Sequence, residues 1–268
     1  MTLAAETPFD GVDGRVVLDA VTHIYTVDGA AVPRSASAVV SAAIGNYFDA
    51  KLVISKNLAS WRSNERSKYH HLVVGLPDDE AAAAIEALWA NSSVLGTKMH
   101  ARAEDMLNDR ATPDDGETDA EWRSLASALL ELQRMGWSPL RTELSLWYES
   151  ADGRVVCAGQ LDALFEDPEG NTVIVDFKRT AHDLSASAVP FGGRRCAAEG
   201  MKHLYANDHT RYALQLSLYS VLLQQRTGIV VDPAHRWLLQ AHPELGPRAI
   251  WTRCADLDVQ ARALLAAF

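Results

Sequence analysis

The spacing of hydrophobic and polar positions changes along the chain, and the changes divide it into elements. Residues 158–180 read AGQLDALFEDPEGNTVIVDFKRT. Two apolar runs flank Asp167, Pro168, Glu169 and Gly170, a turn composition that predicts a β-hairpin. Strand side chains alternate, so Thr172, Ile174, Asp176 and Lys178 share one face of the second strand, and Val173, Val175 and Phe177 share the other. A loop closed by the four turn residues sets Glu166 opposite Asn171 and Asp162 opposite Val175, one position from Asp176. A bulge or small register change then brings the two carboxylates together.

Around this hairpin the periodicity predicts further elements. Residues 15–27 read as a hairpin or short strands leading to a turn at Asp28 and Gly29, and Ser35 starts a helix over 36–44. Residues 48–71 read as a helix whose buried stripe is Leu52, Ile54, Leu58 and Trp61. Trp61 and Tyr69 suit base stacking as well as a core, and aromatics at helical spacing favour the core. Helices follow over 79–90 and 92–107, then an acidic loop, then a helix over 121–135 ending at Gly136. A strand over 141–150 puts Glu143, Ser145 and Trp147 on one side and Leu144, Leu146 and Tyr148 on the other. Beyond the hairpin come an irregular segment over 182–208, a helix over 210–225, strands over 236–241 and 248–253, and a final helix over 256–268.

The composition, 268 residues with 48% hydrophobic and 22% charged, fits one soluble globular unit. No apolar run is long enough to span a bilayer, and the N-terminal residues resemble neither a signal nor a transit peptide, so the expectation is a cytoplasmic protein without a membrane partner. Cys157, Cys196 and Cys254 are too few and too scattered for a disulfide framework, a zinc site or an iron–sulfur cluster. The net charge of −10 argues against non-specific coating of nucleic acid, but the charge is uneven. Lys51, Lys56, Arg62, Arg66 and Lys68 face one acid, Glu65, over 51–71, and this stretch suits a phosphate backbone. Over 102–122 the balance reverses, with eight acids against Arg102 and Arg110.

Two carboxylates held close repel unless a cation lies between them, and hard oxygen ligands favour Mg²⁺ or Mn²⁺. A lysine beside such a cation orients or deprotonates a water, or neutralises charge building on a phosphate. A lone D-x-K is more often a solvated surface pair. The apolar run from Val173 to Phe177 instead predicts an interior strand, where charges need a partner or a metal. His100 and Glu104, four apart on a helix, lie on one face and suit a metal ligand and its supporting carboxylate, although such pairs are more often surface contacts. Tyr212, Gln215 and Tyr219 fall on one face of a later helix.

Taken in order, these residues resemble the PD-(D/E)XK nuclease superfamily in its RecB-like form, exonucleases of phages, large viruses and mitochondrial genome maintenance included. The matching motifs are G-T-x-x-H-x-x-x-E (Gly96, Thr97, His100, Glu104), G-x-x-D (Gly159, Asp162), D-F-K (Asp176, Phe177, Lys178) and Q-x-x-x-Y (Gln215, Tyr219). A looser H-x-Y (His23, Tyr25) opens the chain, and the resemblance runs from about His23 to Pro243. It implies an α/β fold with a mixed central sheet flanked by helices. The whole chain is then a single nuclease domain, with residues 1–91 covering the site and 92–268 forming the core. It implies a Mg²⁺- or Mn²⁺-dependent DNA exonuclease acting on single strands or ends, in repair, recombination or replication. A structure-specific endonuclease and a non-catalytic DNA-binding module are the alternatives. His100, Asp162, Asp176 and the Phe177 carbonyl become the metal ligands, Lys178 the water-positioning residue, and Glu104 and Glu143 outer supports. Gln215 and Tyr219 hold the substrate strand, aided by Arg194, Arg195, Lys202 and Arg211, with Arg62 and Lys68 further along the DNA. The four-cysteine iron–sulfur cluster of some relatives is not expected.

Overall fold

The computed structural model describes residues 9–19, 22, 24–45, 48–112, 116 and 118–268; His23 of the H-x-Y match lies outside them. The described chain divides into two packed units, one drawn from Met1–Gly45 and Met99–Phe268, the other from Asn46–Lys98.

The first unit is built on a mixed sheet whose five strands, among the described residues, follow the order β4 (Ser138–Glu149), β5 (Val155–Glu166), β6 (Thr172–Lys178), β7 (Arg236–Gln240) and β8 (Ile250–Arg253). Only the β6–β7 pair is parallel. Its two strands are therefore joined by a crossover, which contains helix α7 (Asp208–Thr227). Period-two alternation on β6 sends Val173, Val175 and Phe177 into one core cluster and Ile174 into the other, as the pattern predicts. The Val173 side packs against α6 (Asp119–Arg134) and Met99, Ala103 and Leu107 at the end of α5 (Asp78–Leu107). The Ile174 side packs against α7, α2 (Ala36–Ile44) and α8 (Asp258–Ala266). The result is a mixed α/β unit with helices on both faces. A small antiparallel sheet of β1 (Val16–Asp19), β2 (Ile24–Val27) and β3 (Ala30–Ala31) meets β4 and β5, and α1 (Asp10–Asp13) precedes it.

Local chemistry accounts for the boundaries. Ser35 caps α2, its side chain accepting from the Ala38 amide at 3.1 Å. Asp28 and Gly29 turn β2 into β3 with positive φ at both positions, the conformation tight hairpins require.

In the second unit α3 (Ala50–Ser63) and α4 (His70–Val73) replace the one long helix expected over 48–71. Asn64 breaks it, its side chain accepting from the Arg66 amide at 3.0 Å while its backbone turns extended. Leu52 is 49% exposed, against expectation. Ile54, Leu58 and Trp61 recur at helical spacing on one face, and Leu52 lies about 200° around the helix from Ile54. Tyr69 and Trp89 surround Trp61, whose ring centroid is 4.5 Å from that of Tyr69, in the core of this unit. The helices expected over 79–90 and 92–107 form one continuous α5. Its Ser and Gly positions read as a break, but helix propensity is weak, and Thr97 Oγ1 satisfies itself within the helix on the Ser93 carbonyl at 3.3 Å.

Candidate functional site

The β5–β6 hairpin closes one residue later than its composition suggests. Asp167 folds its carboxylate inward and accepts from the Glu169 amide at 3.0 Å and the Asn171 amide at 2.8 Å. The ladder accordingly starts at Glu166↔Thr172 rather than Glu166↔Asn171, and runs to Ala163↔Val175. Extended by one step, this register sets Asp162 across from Asp176, so the expected offset is removed by the turn. The two strands part there: the Phe177 N–H donates to Asp162 Oδ2 at 2.7 Å, a carboxylate standing where a ladder carbonyl would accept.

Glu143 faces the same point from β4. Its neighbours Thr142 and Leu144 pair with Ala163 and Leu161, which brackets Asp162. Glu143 takes φ of 48°, a left-handed conformation that a glutamate rarely adopts, and its carbonyl accepts from Gln160 Nε2 at 3.0 Å. His100 Nδ1 lies 3.5 Å from Asp162 Oδ2, and its ring meets Phe177 edge-on, centroids 6.0 Å apart. Ligand atoms of His100, Glu143 and Asp162 all lie within 4.8 Å of one another. Donor atoms on opposite sides of one hard cation are about 4–5 Å apart, so this set fits a single ion. Asp176 stands outside the trio. Its carboxylate, 2% exposed, is ion-paired with the Lys178 ammonium, 15% exposed. Asp176 Oδ2, the oxygen that faces Lys178, is buried next to the trio, so a cation would share it with, or take it from, that ammonium.

The protonation equilibria register this crowding. Burial pushes the Glu143 carboxyl up to about 8, Asp162 pushes it further and His100 opposes. Burial likewise raises Asp176 to about 6, opposed by Lys178 and reinforced by Asp162. For Asp162 burial is outweighed by His100, and its carboxyl stays below the usual range. For His100 burial is outweighed by Asp162, and the imidazole rises to about 9. Lys178 is held charged despite burial, chiefly by Asp176. Near neutral pH these shifts leave Glu143 protonated and set Asp162 and Asp176 against His100 and Lys178, so a divalent cation entering the trio would displace the protons of Glu143 and His100.

Helix α7 borders the charged face. Gln215 Nε2 donates to Tyr219 Oη at 3.0 Å, and Lys178 Nζ sits 4.5 Å from the centroid of the Tyr212 ring. Gly159 permits the approach: a Cβ there would stand 2.7 Å from Tyr219 Cε1 and 2.8 Å from Ala36 Cβ. Tyr25 of β2 is close enough to feel the charge of Glu143. The end of α5 and α7 pack on opposite faces of the sheet, and His100 reaches Asp162 from the Phe177 side, where the ladder has opened.

No protein-family model matches the chain, and no curated protein matches it. Among solved structures, the chain is similar to SSO0001, with 12% identity, 80% of this chain and 82% of that chain covered, and a TM-score of 0.31. It is also similar to a candidate exonuclease of Eubacterium rectale, with 10% identity, 83% and 82% coverage, and a TM-score of 0.37. Neither likeness is close enough to carry an argument.

The remaining residues separate by what they touch. Glu104 accepts from Arg110 at 2.8 Å. Arg62 Nη2 donates to the Leu76 carbonyl at 2.7 Å and Nη1 to Asp78, ties internal to its own unit. Lys68 lies over Tyr69. In the 182–208 segment Arg194 is exposed, Arg195 stacks on Tyr205 and donates to the His203 carbonyl, and Lys202 pairs with Glu199. Arg211 is 3.8 Å from Asp208. Sequence reading passed over Arg179, whose Nε donates to the buried Glu121 of α6 at 2.6 Å and so fixes the chain just after Lys178. An arginine directly after the D-x-K lysine is the one signal that the sequence offers for it. Cys157, Cys196 and Cys254 are buried free thiols, Cys254 near enough to Asp176 and Lys178 to feel their charges, and no helix among the described residues is long and apolar enough to cross a membrane.

Proposed function

We propose that the chain is a divalent-metal-dependent DNA exonuclease with a RecB-like PD-(D/E)XK core, its chemistry carried by the unit that contains the mixed sheet. The observation that supports this best is the convergence of His100, Glu143 and Asp162, with the Asp176–Lys178 ion pair beside them on the next strand. In this reading His100, Asp162, Asp176 and the Phe177 carbonyl hold Mg²⁺ or Mn²⁺, and Glu143 moves from outer support to the cation itself. The bound cation supplies Lewis-acid polarisation of the phosphodiester and a more acidic water.

The protein's own groups do the rest. Lys178, held charged, orients the attacking water and offsets charge developing on the phosphate; its high proton affinity makes it a poor base. Gln215 and Tyr219 hold the substrate strand against the site, and Arg211, Arg194, Arg195 and Lys202 contact phosphates outside it. Arg62 and Lys68 contact DNA from their own unit, with Arg62 acting first as a brace for its own helix. Glu104 supports the His100 helix through Arg110.

The test is digestion of end-labelled single- and double-stranded DNA with Mg²⁺ or Mn²⁺, read as a product ladder. Asp162→Asn and Lys178→Ala are each expected to reduce cleavage at least ~100-fold. Either variant cutting at the wild-type rate would sink the reading. A circular single strand left intact supports an exonuclease; its cleavage identifies an endonuclease of the same fold.

A further inference from the structure

The Lys178 side chain has four rotatable bonds, and the strand that carries it fixes only its first atoms. Two features meet its ammonium: the Asp176 carboxylate two residues earlier on the same face, and the ring of Tyr212, 4.5 Å away at the centroid. The first is a mobile choice, because Asp176 is also a ligand in the function proposed above. A carboxylate committed to a divalent cation attracts an ammonium less. The aromatic face makes no such commitment.

Tyr212 is built to hold still. It lies one turn into α7, whose start is pinned by Asn207: the side chain accepts from the Thr210 amide at 2.8 Å and donates to the Ala188 carbonyl at 2.7 Å. His209, one turn before Tyr212, ties the same helix to the Leu184 carbonyl at 2.9 Å. The ring itself is half-buried against the main core. Gln215 and Tyr219 continue along the helix but bond to each other, which leaves Tyr212 as the member of the stripe turned to the lysine.

We propose that Tyr212 is a positioning residue for Lys178: its ring face seats the ammonium over the site by a cation–π contact and keeps it there when Asp176 turns to the cation. The inference rests on the reading of Lys178 as the water-orienting group. Tyr212 needs its ring and not its hydroxyl, and it acts only through Lys178.

Both points are testable in a double-mutant cycle with Tyr212→Leu and Lys178→Ala, each alone and combined. In single-turnover and steady-state cleavage of end-labelled DNA, Tyr212→Leu is expected to lower kcat about tenfold with KM within about twofold. Tyr212→Phe is expected to restore the lost rate, and Tyr212→Leu to cost nothing further in the Lys178→Ala background. Equal losses in both backgrounds, a change confined to KM, or Tyr212→Phe as impaired as Tyr212→Leu would overturn the proposal. If the wild-type protein cuts no DNA, the nuclease reading fails, and the four proteins of the cycle still test the contact through urea unfolding without metal. Tyr212→Leu then destabilises the Lys178 protein more than the Lys178→Ala protein, and additive losses overturn the contact. Tyr212→Met replaces Tyr212→Leu in both arms if the leucine variant does not fold.

Discussion

At Gly159 the chain has no room for a side chain. A Cβ at this position meets Tyr219 at 2.7 Å and Ala36 at 2.8 Å, both held by a buried core. Gly159→Ala is therefore expected to destabilise the protein by about 1–3 kcal/mol, as overpacking does, and to push Tyr219 from its place beside Gln215. Urea unfolding measures the first effect. Unchanged stability would mean that α2 and α7 shift more freely than their packing indicates. The sequence marks this glycine only as a motif position; its physical reason, a tyrosine packed on bare backbone, needs the fold. Glu143 makes the same point more sharply. Its glutamate identity hints at metal chemistry, yet nothing in the residues around it announces a left-handed φ, because glutamate has no preference for that conformation. The conformation follows from its place on β4 across from Asp162, a long-range relation. By contrast the Ser35 cap and the alternation on β6 depend on near neighbours, and both are legible from the sequence.

Among the elements, the β5–β6 hairpin shows where local reading stops. Its strands and turn are evident from composition, but the register depends on one side chain, Asp167, which folds back on the Glu169 and Asn171 amides and lengthens the turn by a residue. That residue decides the site, since a period-two element slipped by one position sends its side chains to the wrong face. Deleting Glu169 is expected to enforce the shorter loop and move Asp162 away from Asp176. Mn²⁺ should then stabilise the variant by less than half the Tm shift it gives the wild type, even where circular dichroism shows the fold retained. An undiminished shift would mean that Asp162 and Asp176 do not act on one cation. The continuous α5 is the other lesson at this scale. Its polar and glycine positions favour a break, and packing of Met99, Ala103 and Leu107 on the sheet carries the helix through.

For the whole molecule, the crowding of charge in one place links stability to pH and to metal. Glu143 rises from its usual 4.5 to about 8, and Asp176 from 3.8 to about 6. Each binds its proton more tightly in the folded protein, so each contributes stability at low pH that is lost as pH climbs to the folded value. His100, raised from 6.5 to about 9, contributes stability that is complete below 6.5 and lost as pH rises through 9. Asp162, shifted down, acts oppositely, and its contribution disappears only on acidification below 3.8. Asp176 gives up its share between 3.8 and about 6, Glu143 between 4.5 and about 8 and His100 between 6.5 and about 9, so the chelator-treated protein is expected to lose stability in overlapping steps from about pH 4 to 9. A divalent cation replaces the protons these groups would otherwise keep, so its benefit grows as protons become scarce. The Tm shift given by Mn²⁺ should be larger at pH 8.5 than at pH 6. Thermal unfolding at both values, with and without metal, measures it; an equal shift at both would mean that ion binding displaces no protons from Glu143 and His100, and that the cation sits elsewhere.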